Sequence, residues 1–473
     1  MIQKFLLIPF IALGIFGMLI LSSCKKEREG CTDPSAMNYN PEADKENNSC
    51  DYSTSFTLSS GTFKNLAKTF VTITDRGNGI GNITLDPSKI WVLNGNVFVN
   101  EGQILEILPG TIVLAQENAK LIVARGARID AQGTLENPII FTHANDTKLD
   151  YDLQQKGKWG GIVLLGEAPL KAVGSESIFD LPEGADSRLQ YGGNNPSDSS
   201  GTLTYVSIRH GGGSIAGLNI AGVGSGTTLN HIEVISTNAD GIAFYGGTAR
   251  LKHAVVSFAN GHCYSFRNGF HGMGQFWISV KDLNGGLNGA DHADGVFLGM
   301  NQQPQTPAIY NCTFLGGGVQ NNQKALSFYE GAGAKYYNSI FVDWSLGAMM
   351  EKTIEESSSD LFYSSHLEIA NNSFYQVANG SISRMYELQI GLGISPNDSL
   401  TTIEDFRDSF QSKNNSTANP GVNRAGITAN NGLNVRLAPD NGFYTPQVST
   451  RGAVSESLWF KGWTKTDEEE IIR

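Results

Sequence analysis

LTYVSI at 203–208, LNHIEV at 229–234 and LKHAVV at 251–256 are one phrase written three times, and IYNCTF at 309–314, YYNSIF at 336–341 and ANNSFY at 370–375 continue it. With QFWISV at 275–280 counted as a degenerate copy aligned on Trp277, the phrase recurs every ~22 to 34 residues, the period range of a solenoid. Each copy opens a run of alternating apolar residues, so each repeat unit is built on strand. Upstream, the stretch from Leu108 to Thr142 follows the same grammar. It has bursts of four to six alternating residues cut by Pro109-Gly110, Arg125-Gly126 and Gln132-Gly133 turns. Polar insertions at Asn145 to Lys158 and Ser175 to Ser200 leave the later repeats undisturbed, as loops on one face of a solenoid do. The helical signal is confined to IEDFRDSFQS at 403–412, a short cap or side helix. The tail segment RGAVSESLWFKGWT carries two Trp residues expected to close the open end of the stack, because a bare final coil exposes core and strand edges.

The net charge of −12, with no basic run, argues against nucleic acid as a partner. At the N-terminus Lys4 is followed by an apolar run from Phe5 to Leu21 and by Ser22-Ser23-Cys24, the layout of a signal peptide rather than a membrane-spanning anchor. Leu21-Ser22-Ser23-Cys24 resembles a bacterial lipobox, which implies lipidation of Cys24; an ordinary signal peptide with an incidental Cys is the alternative. Lys25 in place of Asp implies, by resemblance to bacterial sorting rules, the outer membrane. The following KKERE is similar to surface-export signals of Bacteroidota lipoproteins.

Export also frames the other cysteines. Cys31 and Cys50 bracket a segment rich in turn residues and nearly without core formers, so a Cys31–Cys50 disulfide is expected, and closing a loop of this size contributes roughly 3 kcal/mol. The segment resembles small CTDP…NYNP…SC modules near the N-termini of Bacteroidota surface proteins. Its carboxylates Asp33, Glu42, Asp44, Glu46 and Asp51 make Ca²⁺ the candidate cofactor, since a hard cation takes several oxygen ligands; a solvated spacer is the competing reading. Cys263 and Cys312 read as free, buried small hydrophobes.

WVLNGNVFV, LPGTIVLA, LIVARGARIDAQGT, PIIFTH, WGGIVLLGEAP, LTYVSIRHGG, DGIAFYGG and RGAV…WFKGWT together resemble a family of Bacteroidota surface lipoproteins with a right-handed parallel β-helix of the pectin-lyase-like type, over most of residues 85 to 465. The resemblance implies fold and cell-surface location but no settled activity. That fold hosts lyases, hydrolases, adhesins and binding proteins alike.

His231 and His253 share a column with Asn311, Asn338 and Asn372, which predicts a polar ladder in a turn, with coils ~4.8 Å apart. The segments NADGIAF, NGHCYSF and ADHADGVFL follow the ladder strands. NADGI is similar to the NTDG motif of polygalacturonases and GHC to their GHG. This resemblance implies a catalytic set of Asp240, His262 and Asp294, with the two acids ~9.6 Å apart if in register, at the upper edge of an inverting pair. The match lacks the family's Asp-Asp pair and its Arg-x-Lys, and Asp-Gly is also an ordinary turn. A uronate lyase would draw its base from Arg209, Arg250, Lys252 or Arg267. Aromatics concentrated between Phe244 and Phe297 (Tyr245, Tyr264, Phe266, Phe270, Phe276 and Trp277 among them) suit a binding face for sugar rings or a protein. The ligand-binding candidates on it are Tyr245, Tyr264, Arg267, His271, Asp291 and His292.

These readings predict an all-β chain: signal peptide 1–23, tether and Cys31–Cys50 module 24–55, lead-in 56–89, a right-handed single-stranded parallel β-helix over 90–380, and C-terminal strands, short helix and cap over 381–473. The expected function is non-catalytic binding of a glycan-like ligand or an outer-membrane protein partner by a lipid-anchored cell-surface protein. The alternative is a polysaccharide-active hydrolase or lyase.

Overall fold

The structure, a computed structural model, describes residues 27–33, 36, 39–51, 53–283, 285–299, 303–428, 433–454 and 458–472. The predicted signal peptide and Cys24 lie outside the described residues. Residues up to 52 form one unit and the remainder another. In the small unit Cys31 and Cys50 are disulfide-bonded, and Glu29–Gly30 pairs in parallel with Lys45–Glu46.

The large unit is a parallel β-helix. Ten short strands stack into one sheet: Asn96–Val99, Lys120–Val123, Gly161–Leu165, Leu218–Ala221, Ile242–Tyr245, Tyr264–Arg267, Ala290–His292, Lys324–Phe328, Leu346–Lys352 and Tyr386–Ile390. Each pairs in parallel with the next, one coil on. The other faces belong to a second, larger sheet in which single strands bend round a corner. Gly201–Arg209 pairs with Thr228–Ile235 through residues 202–204 and again through 206–209, skipping Tyr205 and His231. The next pairings skip His231 and His253, then His253 and Phe276.

The skipped residues explain the repeated phrase. Tyr205, His231, His253, Phe276, Asn311, Asn338 and Asn371 have φ of 48°, 54°, 55°, 61°, 55°, 53° and 58°. This is the left-handed conformation, which turns a strand and which Asn tolerates better than other non-glycine residues. The column therefore differs by one residue from the expected alignment at two places. Phe276, not Trp277, is the fourth member. Trp277 faces inward opposite Ala254 and its indole N–H donates to the Leu251 carbonyl at 2.9 Å. Asn371, not Asn372, is the seventh. Asn372 is buried, donating to the Tyr336 carbonyl at 2.9 Å and accepting from the Ser339 N–H at 2.7 Å.

Inside the coils, alternate side chains fill one continuous core, including the stack Phe244–Phe266–His292–Phe328. Apolar patches outside the coils are covered by other parts of the chain. The 169–191 insertion lays Phe179, Leu181 and Leu189 over Val163, Leu165 and Ala221 on the ten-stranded sheet. The lead-in hairpin, Ser55–Phe63 with Leu66–Thr74, contributes Phe63 to a second patch. The tail covers a third, packing Ala453, Val454 and Phe460 against Val255, Ile278 and Ile340.

The two tail tryptophans do not close the end of the stack. Trp463 meets Tyr205 edge-on at 5.4 Å and Trp459 meets His253 at 5.0 Å, so the tail is a lateral strap along the corner column. The buried carboxylate of Glu233 fixes it, accepting from the Lys465 and Thr466 N–H groups at 2.8 Å each. The end is closed instead by the helix Pro396–Ser412, which starts seven residues before the expected segment. Ser395 caps it, accepting from the Asp398 N–H at 3.1 Å, and Pro396 occupies its first turn. Its Phe406 stacks on Tyr386 of the last strand at 4.5 Å.

Candidate functional site

Strand register decides which predicted residues meet. Ile242, Tyr264 and Ala290 are aligned partners, so Asp240, His262 and Asn288, each two residues earlier, occupy one column before the strands. Asp294 follows its strand and aligns with Asn268 and Gly246. Asp240 and Asp294 therefore sit at opposite ends of the strand column, six positions apart, roughly 20 Å along the strand direction. The in-register arrangement expected of an inverting pair is not formed. Asp240 accepts the His262 backbone N–H at 2.7 Å. Asp294 accepts the Asn268 N–H at 3.2 Å and is ion-paired with Lys171.

Alternation along each strand sorts the remaining candidates. Tyr264, Phe266 and His292 point inward. The Tyr264 hydroxyl donates to the Ile278 carbonyl at 2.8 Å. His292 stacks on Phe266 at 4.1 Å, and its Nε2 is 2.9 Å from the Tyr336 hydroxyl. Burial pushes the His292 imidazole down to about 3, so it is a neutral core residue. Tyr264 and His292 are thus not on a ligand-facing surface. The expected aromatic face is likewise consumed: Phe244, Phe270 and Trp277 lie in the core, Phe276 lies beneath the strap, and Tyr245 is covered by Phe179 at 5.3 Å.

The side chains that point out of the coils here are polar, and Ser265, Asn288, Asp291 and Ser327 among them are buried. Ser265, Asp291 and Ser327 are aligned on three successive coils, with Arg267 two positions along and His262 and Asn288 at the strand entrance. Asp291 is the hub. It accepts from Arg267 Nη2 at 2.7 Å, from Asn288 Nδ2 at 3.3 Å and from the Ser327 hydroxyl. Burial would raise its carboxyl, but His262, Arg267 and Ser327 outweigh burial and hold it below the usual carboxylate value. His262 Nδ1 accepts the Asn288 backbone N–H at 3.2 Å, which leaves its proton on Nε2, 3.7 Å from Asp291. Burial lowers the imidazole's pKa despite Asp291 and Asp240 pulling it up. Nδ1 is therefore committed to the Asn288 backbone, while Nε2 lies beside Asp291 at more than hydrogen-bonding distance. Of the predicted set, the structure brings together Asp240, His262, Arg267 and Asp291. It places His271 elsewhere, stacked on Phe297 at 4.0 Å. Ser265, Asn288 and Ser327 were missed; their signal is a small polar residue at the outward position of successive coils.

In the small unit the candidate Ca²⁺ ligands disperse. Glu42 pairs with Arg28 at 2.7 Å, and Glu46 accepts the Thr32 N–H at 2.7 Å and the Asn48 N–H at 2.7 Å. Among the described residues the one convergent group is Glu46 with Cys31 and Cys50, whose sulfurs are bonded to each other. This donor set does not fit a cation that takes six to eight oxygens. Cys263 and Cys312 are free and buried.

No match is found among curated proteins or among solved structures. The family described as pectate-lyase like beta helix domain matches residues 77–430, well over half of the chain. Parallel coils, a bent-strand corner and outward polar columns are what that match covers, and the chain belongs to this pectate-lyase-like β-helix family.

Proposed function

We propose that the β-helix is a non-catalytic glycan-binding body whose ligand lies across the outward face of the ten-stranded sheet, over Asp240, His262, Ser265, Arg267, Asp291 and Ser327. Family membership supports a polysaccharide-related role. The observation that carries the reading is the Asp291 hub: its carboxylate is held by a guanidinium, an amide and a hydroxyl. Such a network is a rigid set of donors and acceptors repeating at the coil spacing of ~4.8 Å, suited to sugar hydroxyls. Acid-base work on a glycosidic bond would instead need two ionisable groups placed across that bond, and Asp240 and Asp294 stand at opposite ends of the strand column. Glycan-panel binding tests it together with assays for new reducing ends and unsaturated products. Saturable binding without product, weakened by Asp291→Asn, is expected. Product formation lost in Asp240→Asn or His262→Asn would establish the enzymatic alternative instead.

The same reading places the body at the cell surface on an acylated Cys24, with the outer membrane as its support. Labelling with an alkyne fatty acid checks this: label is expected on the wild-type chain and none on Cys24→Ser.

A further inference from the structure

A cleft of about 460 Å³ opens where the ten-stranded sheet turns into the bent strands, past the ends of Ile242–Tyr245 and Tyr264–Arg267. Among the described residues its lining includes no Asp or Glu, in a chain with 46 acidic residues against 34 basic ones. The one formal charge in it is Arg250. The backbone of Arg250 is fixed between Thr228 and Met273. Its half-buried guanidinium makes no hydrogen bond or ion pair among the described residues. Arg188, Arg209, Arg267 and Arg451, by contrast, are all engaged by carboxylates or carbonyls. A guanidinium is a fork of five donors that matches an anion with two oxygens, and here its donors face a concavity with no acid in it.

The opposite wall is already ordered. His271 lies flat on Phe297, centroids 4.0 Å apart and planes 7° from parallel. His271 Nδ1 is 2.9 Å from the Gly269 carbonyl, so that nitrogen carries the proton and Nε2 remains as an acceptor. Burial lowers the imidazole's pKa, which keeps it in this neutral form. The third wall, at Pro196, is pinned by hydroxyls of Ser225 and Thr248 donating to its carbonyl. A planar apolar surface, an acceptor and an unpaired guanidinium in one preformed cleft form a small-ligand site in the general sense.

We propose that this cleft binds a saccharide residue bearing an anionic substituent, carboxylate or sulfate, with Arg250 taking the anion and the His271–Phe297 pair taking the ring. The inference rests on the reading of the chain as a glycan binder but not on the Asp291 face, so the two can fail separately. The test is calorimetric titration of the full chain with a glucuronate-containing disaccharide, a galactose-6-sulfate oligosaccharide and the neutral counterpart of each. At least one anionic probe is expected to bind about tenfold or more tightly than its neutral counterpart. Arg250→Gln should lose that margin, Arg250→Lys should keep part of it, and Arg384→Gln, paired with Glu387 away from the cleft, should leave it unchanged. Because the Arg250 side chain makes no hydrogen bond or ion pair among the described residues, its variants should melt close to the wild type. Absence of binding by both anionic probes, equal binding of the neutral sugars, or wild-type affinity in Arg250→Gln overturns the proposal. Loss in Arg267→Gln alone overturns it while leaving the Asp291 face standing.

Discussion

Two stacks of rings run along this molecule, and they are held in different ways. The inner one, Phe244–Phe266–His292–Phe328, has centroid spacings of 5.2, 4.1 and 4.9 Å. The corner one, Tyr205–His231–His253–Phe276, has spacings of 4.3, 4.4 and 5.0 Å. Coil pitch sets both spacings. The inner stack is sealed by the coils themselves, and its imidazole reaches the Tyr336 hydroxyl. The corner stack sits on left-handed backbone and is sealed by Trp459 and Trp463 of the strap. There His253 meets the Asn230 amide oxygen at 2.8 Å, while His231 Nδ1 is buried with no hydrogen-bond partner among the described residues. The same residue types therefore act as core in one place and as a docking surface for a separable segment in the other.

Breaking the inner stack should have the largest effect. Phe266→Ala removes a ring in contact with Phe244, Phe270, Trp277 and His292 and is expected to cost about 3–5 kcal/mol in a cooperative denaturant transition. Tyr336→Phe keeps the ring but strands His292 Nε2, and should cost about 1–3 kcal/mol by the same measurement. At the corner, Trp459→Ala should cost roughly 1.5 kcal/mol. The loss should appear as proteolysis within 433–472 before the coils melt, whereas a single cooperative transition would mean that strap and coils are one unit.

Acid sharpens the contrast further. Burial holds His231 down at about 4, and burial together with His231 and Lys252 holds His253 at about 3, against an ordinary 6.5. A depressed imidazole favours the neutral folded state. Its contribution is therefore complete above pH 6.5 and is lost as pH falls from there through about 4 and about 3. Hydrogen exchange should show the strap loosening in that window before the coils, which His292 destabilises in the same direction. The double variant His231→Asn, His253→Asn should have the smallest effect at neutral pH, within about 1 kcal/mol, because lost stacking is offset by the better fit of Asn to this backbone. It should keep the strap bound in acid until the coils fail; early release would put the acid sensitivity elsewhere.

The fold was readable because the corner recurs once per coil and selects residues that accept positive φ. Asn311 and Asn338 announce it, and His231 and His253 fall into line. Trp277 and Asn372 misled by one position because an apolar ring and an adjacent Asn-Asn pair each offer two alignments. Which side a residue faces was harder to read: in a strand buried on one face and covered in part on the other, Tyr264, Arg267, Asp291 and His292 all fit either parity. That slip put Tyr264 and His292 on the surface, and a separate six-position offset in register placed Asp294 in the column of Asp240. The strap was illegible for another reason, since Trp459 and Trp463 contact residues more than 200 positions away, where no local pattern reaches.

The central claim, that the Asp291 face binds glycan without cleaving it, is tested most directly by hydrogen-exchange footprinting with a glycan hit from the panel, with the supernatant assayed for products. Protection confined to Asp240–Tyr245, His262–Arg267, Asn288–His292 and Lys324–Phe328, absent in Asp291→Asn and with the sugar recovered intact, is the predicted result. Protection elsewhere on the coils, or recovery of cleaved sugar, would contradict it.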